Sequence, residues 1–175
     1  IREEYTGNLK PNTKYYVVPW HLNGGVWTYG SAISFTTLPA PTTPTVTTTS
    51  ISAISGTTAT GGGNVTATGG VSVTARGICW NTTGTPTTAN SKTIQTGTTG
   101  SFISSLTGLT PNTLYYVRAY ATNSYGTGYG SQTFFSTIGD LPTVFTSGLT
   151  VATISTASGG GTVLTSGDSA VTARG

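Results

Sequence analysis

The sequence predicts an all-β chain of two-sheet sandwich repeats, one complete and two half, on three observations. Strand-favouring Thr, Val, Tyr and Ile recur throughout, whereas only 6% of residues are charged and Met is absent, so helix formers are scarce. Leu9-Lys10-Pro11-Asn12-Thr13-Lys14-Tyr15-Tyr16-Val17 returns as Leu109-Thr110-Pro111-Asn112-Thr113-Leu114-Tyr115-Tyr116-Val117, an offset of 100. A second segment, from Pro44-Thr45-Val46 through Gly61-Gly62-Gly63 to Val73-Thr74-Ala75-Arg76-Gly77, returns as Pro142-Thr143-Val144, Gly159-Gly160-Gly161 and Val171-Thr172-Ala173-Arg174-Gly175, an offset of 98. A period of this size marks a tandem array of small domains. The chain therefore divides into 1–38, the back half of a repeat; 39–43, a linker; 44–138, a complete repeat; and 139–175, the front half of another.

The linker, Pro39-Ala40-Pro41-Thr42-Thr43, is predicted to be stiff and extended. In the complete repeat, 44–48 reads as an edge strand and 59–66 as a second strand, whose Gly61-Gly62-Gly63 run permits a bulge or a close backbone approach. Thr68-Gly69-Gly70 signals a turn, after which 71–80 is the third strand. A Thr- and Gly-rich loop leads to short strands over 92–95 and 101–106, then to 114–122 and 132–137. Seven short strands within this length fit a two-sheet sandwich. In the longest of them, alternation puts Tyr115, Val117, Ala119 and Ala121 on one face and Tyr116, Arg118 and Tyr120 on the other.

Composition limits the function. With 35% hydrophobic and 10% aromatic residues and little charge, the chain is expected to fold rather than to stay disordered. Its net charge of +3 comes from scattered residues with no basic stripe, which argues against nucleic acid as a partner. No run approaches the roughly 18 apolar residues of a membrane-spanning helix, and no charged segment followed by an apolar run marks a signal peptide within the given chain. The single cysteine, Cys79, has no internal disulfide partner. A thiol-poor, Thr-rich chain of low charge is expected outside the cell or on its surface.

Leu109-Thr110-Pro111-Asn112-Thr113-Leu114-Tyr115, with Tyr116-Val117-Arg118-Ala119-Tyr120-Ala121 after it, resembles the segment of fibronectin type III domains that turns into the sixth strand. The resemblance implies an immunoglobulin-like, fibronectin type III-like sandwich, of the Thr/Gly-rich kind found in bacterial surface proteins and filament subunits. It also implies that Tyr115, and Tyr15 in the first half, form the tyrosine corner, tying a hydroxyl back to upstream backbone. The departures are the glycine triplet and, in the first half, Pro19 and His21 at inward positions.

Catalytic chemistry is not signalled. His21 is the only histidine and has no acid or nucleophile in its neighbouring text, so a packed or interfacial role is expected. Cys79, between Ile78 and Trp80, reads as a small buried hydrophobe. Glu3, Glu4, Asp140 and Asp168 lack the spacing of a calcium loop, and no cofactor is expected. Tyr16, Trp20, Trp27, Tyr29, Tyr116, Tyr120, Tyr125 and Tyr129 include aromatics at outward positions, which suit cross-strand pairing, a subunit contact or stacking on glycans. Asn64-Val65-Thr66 and Asn81-Thr82-Thr83 fit the N-glycosylation pattern, and Asp168-Ser169-Ala170 resembles a bacterial O-glycosylation site at Ser169.

Half-sandwiches leave apolar faces and open edges that need a cover. One expectation is that copies of this chain assemble head to tail, the front half of one completing the back half of the next, with Ile1, Tyr15, Val17, Trp20, Val144, Val151, Val163 and Val171 at the joint. The product would be an extracellular fibre or pilus-like filament. The same repeats also suit a spacer or adhesive stalk in a large surface protein, or a carbohydrate-binding module of a secreted enzyme.

Overall fold

A computed structural model describes residues 7–153, 155–167 and 170–174, with the side chains of all of these but 149–152. The chain forms two compact units, Ile1–Thr42 and Thr43–Gly175.

In the first unit, β1 (Lys14–Val17) pairs with β4 (Ile33–Thr36), and β2 (Trp20–Asn23) pairs with β3 (Val26–Tyr29), all antiparallel. The β2–β3 hairpin turns on Gly24 and Gly25, both at positive φ, which the primed two-residue turns require. Proline supplies no N–H for a ladder, and the strand is broken where Val18-Pro19 separates β1 from β2.

The second unit contains the complete sandwich. One sheet runs in the order β5 (Thr45–Thr48), β6 (Ala59–Ala67), β9 (Gly100–Leu106). The other runs β11 (Gly126–Tyr129), β10 (Leu114–Asn123), β7 (Ala75–Asn81), β8 (Ser91–Lys92), and β12 (Thr133–Ser136) also pairs with β10. Between the sheets lie Val46, Val65, Ile78, Trp80, Phe102, Leu106, Leu109, Tyr115, Val117 and Phe135, the alternate inward positions of both. The unit ends in a hairpin of β13 (Thr143–Ala152) and β14 (Ala157–Thr165).

Four details differ from the sequence expectation. The third strand starts at Ala75 rather than at 71: Gly69 and Gly70, both at positive φ, make a turn that bends at Val71, and irregular backbone follows to Thr74, whose N–H donates to Thr122 O at 2.8 Å. The strand expected over 92–95 is reduced to Ser91–Lys92, with Gln95 joined to Arg76 by an isolated bridge. β11 was not anticipated, although Asn123 and Gly126 close a two-residue hairpin loop there. Tyr120, expected to face outward, is buried, because β8 and the loop after it extend the sheet beneath it and its hydroxyl donates to Thr93 O at 2.7 Å.

The glycine triplet makes no bulge, since β6 runs in unbroken register against β9. What it permits is close approach. A Cβ on Gly62 would lie 2.4 Å from Phe102 O, and one on Gly63 would lie 2.6 Å from Ala119 Cβ across the sandwich. β6 is thus pressed against both its own sheet and the facing one.

Candidate functional site

The tyrosine corner follows from the Leu-x-Pro-Asn-Thr text. Pro111 presets one turn residue, Asn112 takes φ of 50°, and the chain doubles back so that Thr110 N–H donates to the Tyr115 hydroxyl at 3.0 Å. Thr137 locks the turn, its Oγ1 donating to Thr110 O at 2.6 Å and accepting from Thr113 N–H at 2.9 Å. The first unit repeats each part. Asn12 has φ of 49°, Lys10 N–H donates to the Tyr15 hydroxyl at 2.8 Å, and Thr37 makes the contacts of Thr137. Tyr15 stacks on Phe35 and Tyr115 on Phe135 with the same 5.8 Å between ring centres.

The terminal hairpin repeats the pairing of β5–β6 at its start and its turn, although β13 runs on for ten residues and shifts register a second time between Ser147 and Val151. Val144 pairs with Val163 as Val46 pairs with Val65, and each first strand carries a register shift after its first residue. The turn bond between Ser55 Oγ and Thr58 Oγ1, 2.8 Å, returns as Thr153 Oγ1 to Thr156 Oγ1, 2.7 Å.

Local structure is therefore the same, and burial is not. Val117 is wholly buried while Val17 is 46% exposed; Phe135 is 6% exposed and Phe35 44%; Val46 is 7% exposed and Val144 68%. Val163 and Val171 are half-buried. Side chains that form the core of the complete sandwich thus line open sheet faces in the other two segments. On the hairpin this face is a trough of about 490 Å³ lined by Val144, Gly161, Val163 and Val171, among others.

The complete sandwich shows how such faces close. Thr48 at the end of β5 reaches across to β10, where its Oγ1 accepts from Ala119 N–H at 3.0 Å. Gly130 leaves room for it, since a Cβ there would lie 2.6 Å from Thr48 N. The start of β5 passes over β11 even more tightly, and a Cβ on Gly128 would sit 1.8 Å from Pro44 O. No single sequence pattern announces this seat, because Pro44 and Gly128 are far apart in the chain.

The remaining predicted residues fall as follows. Tyr16, Trp20, Trp27, Tyr29 and Tyr125 are exposed, with Trp20 and Trp27 in edge contact at 4.7 Å. Tyr129 instead lies under the Arg118 guanidinium, 4.6 Å from the ring centre, and its hydroxyl accepts from Thr88 N–H at 3.1 Å. His21 is exposed on β2. Cys79 is fully buried, and burial pushes its thiol up to about 11; burial also raises the Tyr120 hydroxyl. Asn64 is half-buried on the central strand β6. The Asn81 amide is engaged on both sides: its nitrogen donates to Gly84 O at 3.0 Å, and its oxygen accepts from Gly84 N–H at 2.9 Å. A glycan on that nitrogen would have to break the turn. Val151 is in β13, paired with Ser158. Ile1 and Ser169 lie outside the described residues.

Sequence reasoning overlooked Arg76. Its guanidinium lies 5.2 Å from the centre of the Phe102 ring and donates to Thr98 O at 3.2 Å and Gly100 O at 3.3 Å, clamping the loop before β9. The signal was present, since the same arginine recurs as Arg174. Among the described residues, no three His, Cys, Asp or Glu gather as a metal site, and no helix is long and apolar enough to cross a membrane.

The two facing antiparallel sheets and the tyrosine corner define the class: a fibronectin type III-like, immunoglobulin-like β-sandwich. Solved structures similar to this chain include the sensor domain of the anti-sigma factor RsgI4 in Pseudobacteroides cellulosolvens. It is 19% identical with a TM-score of 0.40, over 54% of this chain and 94% of that one. The FN1–FN3 domains of chicken CNTN1 are 20% identical with a TM-score of 0.46, and the match spans 74% of this chain and 44% of theirs. Domains d3–d4 of the rat CD45 extracellular region are 18% identical with a TM-score of 0.42, over 78% and 70% of the two chains. No protein-family model and no curated protein matches the chain.

Proposed function

We propose that this chain is a non-catalytic structural stretch of an extracellular fibre or stalk, made of tandem sandwich repeats in which each open sheet is closed by the complementary half of a sandwich. The observation that carries the reading is the preserved register with reversed burial: Val17, Phe35 and Val144 sit in the same ladders as Val117, Phe135 and Val46 but face solvent. Sheet faces of this kind are apolar surfaces built to be covered. Exposed aromatics on β2 and β3 suit packing against a neighbour in the same array.

The cover comes either from a second copy, head to tail, which gives a filament, or from the same polypeptide, which gives a stalk of contiguous repeats. That one open face has the strands of a back half and the other those of a front half supports the filament. The seat for β5 supports the stalk, because the first unit carries Pro19 and Thr28 where the complete sandwich has Ala119 and Gly128. We favour the stalk. Sedimentation velocity and negative-stain microscopy of the chain at rising concentration test it: a persistent monomer supports the stalk, and linear polymers support the filament. Closed discrete dimers joined through the complete sandwich would overturn both.

A further inference from the structure

We infer that the trough on β13–β14 is the seat of one kind of sheet, a β10–β12-type sheet with alanine and glycines at the positions of Ala119, Gly126, Gly128 and Gly130, and that the sheet of the first unit is barred from it. The inference rests on the reading of the open sheets as sandwich halves and names the partner that each accepts.

The complete sandwich supplies the template. There the segment from Thr43 to Thr48, with Gly63 of β6 beside it, runs closely against β10 and β11. Ala119 N–H donates to Thr48 Oγ1, and Ala119 Cβ packs where Gly63 has no side chain. Gly130 gives way to Thr48. Gly126 and Gly128 give way to Thr43 and Pro44, the first with a notional Cβ 3.2 Å from Thr43 Cγ2. The terminal hairpin keeps its side of this interface: Pro142 stands for Pro44, Thr146 for Thr48 and Gly161 for Gly63.

The first unit does not keep the other side. Pro19 replaces Ala119, so the N–H that Thr146 would accept is missing. Its ring also fills the seat. Where a Cβ on Gly130 would meet Thr48, one on Gly30 would meet Pro19 Cγ at 2.7 Å, so the volume that β5 occupies in the complete sandwich is taken by the first unit's own side chain. Val26 and Thr28 stand for Gly126 and Gly128, and the Thr28 Cβ would project into the position of the Pro44 carbonyl. A backbone carbonyl in register cannot yield as the end of a flexible side chain can. Three substitutions thus close one seat, which separates repeats that accept this kind of edge strand from a repeat that does not.

The test uses the full chain in three forms: native; the opened variant Pro19→Ala/Val26→Gly/Thr28→Gly; and the opened variant with Val144→Asp and Val163→Asp in the trough. Sedimentation velocity is expected to show the opened variant associating at least tenfold more tightly than the native chain, and the trough aspartates abolishing that gain. Equal association of native and opened chains, or a gain that survives the aspartates, would overturn the inference. A fourth form, Gly128→Thr in the otherwise native chain, reads the seat without any assembly. Amide exchange at Ala119 is expected to speed up at least tenfold while Arg118, paired with Cys79 on β7, stays protected; unchanged protection at Ala119 would overturn the seat itself. Failure of the sandwich-half reading shows differently, as a fast-exchanging Ala119 in Gly128→Thr with no association in any form of the first unit, and that outcome removes the partner assignment for the trough.

Discussion

Single side chains decide how firmly the turns are held. The Tyr115 hydroxyl takes the Thr110 N–H, which would otherwise be a half-buried donor without a partner, so Tyr115→Phe is expected to destabilise the complete sandwich by about 0.5–1.5 kcal/mol in urea unfolding. A change below about 0.3 kcal/mol would show that water replaces the bond without loss. Cys79 gives a second prediction. Burial shifts its thiol from 9.0 to about 11, so the thiolate is penalised only in the folded state. Stability from keeping the thiol protonated is complete below pH 9 and is lost as pH rises through 11, since the unfolded chain gives up its proton first. The native thiol should therefore resist a disulfide reagent at pH 8 and react promptly once the chain is unfolded. Rapid labelling of the folded protein would contradict its burial.

At the scale of strands, glycine is placed by contact and not by flexibility. Gly62 and Gly63 have ordinary φ, yet neither has room for a methyl group, because Phe102 O and Ala119 lie against them. Gly62→Ala is expected to cost about 1–3 kcal/mol, measured as a shifted denaturation midpoint. Gly148, on β13, has open space around its Cβ position, and Gly148→Ala should stay within about 0.5 kcal/mol. If both substitutions behaved alike, the tight approach of β6 to its neighbours would be wrong. Proline acts at the same scale: β10 is one strand of ten residues, while its counterpart is split into β1 and β2 at Pro19.

At the scale of the whole chain, one segment has a closed core and two carry open faces. Residues 44–138 alone are expected to unfold in a single cooperative step and to bind little of a hydrophobic dye, whereas the 175-residue chain should bind it strongly through Val17, Phe35, Val144 and their neighbours. A full chain as dye-silent as the isolated domain would mean that those faces are covered in solution. Much of this organisation was legible in the residues. Repeats at offsets of 98 and 100 show when the sequence is laid against itself, and alternation along 114–122 depends on neighbours within a few positions, so strand identity and the inward set Tyr115, Val117, Ala119 and Ala121 could be read from the residues, while the corner was implied only by the resemblance that the Leu-x-Pro-Asn-Thr turn carries. The short hairpin strand β11, the inward turn of Tyr120, the clamp of Arg76 on the loop at 98–100 and the seat that Gly128 and Gly130 provide for β5 could not. Each of those rests on atoms brought together from distant parts of the chain, where packing rather than local periodicity sets the outcome. What the sequence determined alone was the repeat, its strands and its turns; which faces are covered, and which strand each sheet can accept, was decided only when two sheets met at van der Waals distance.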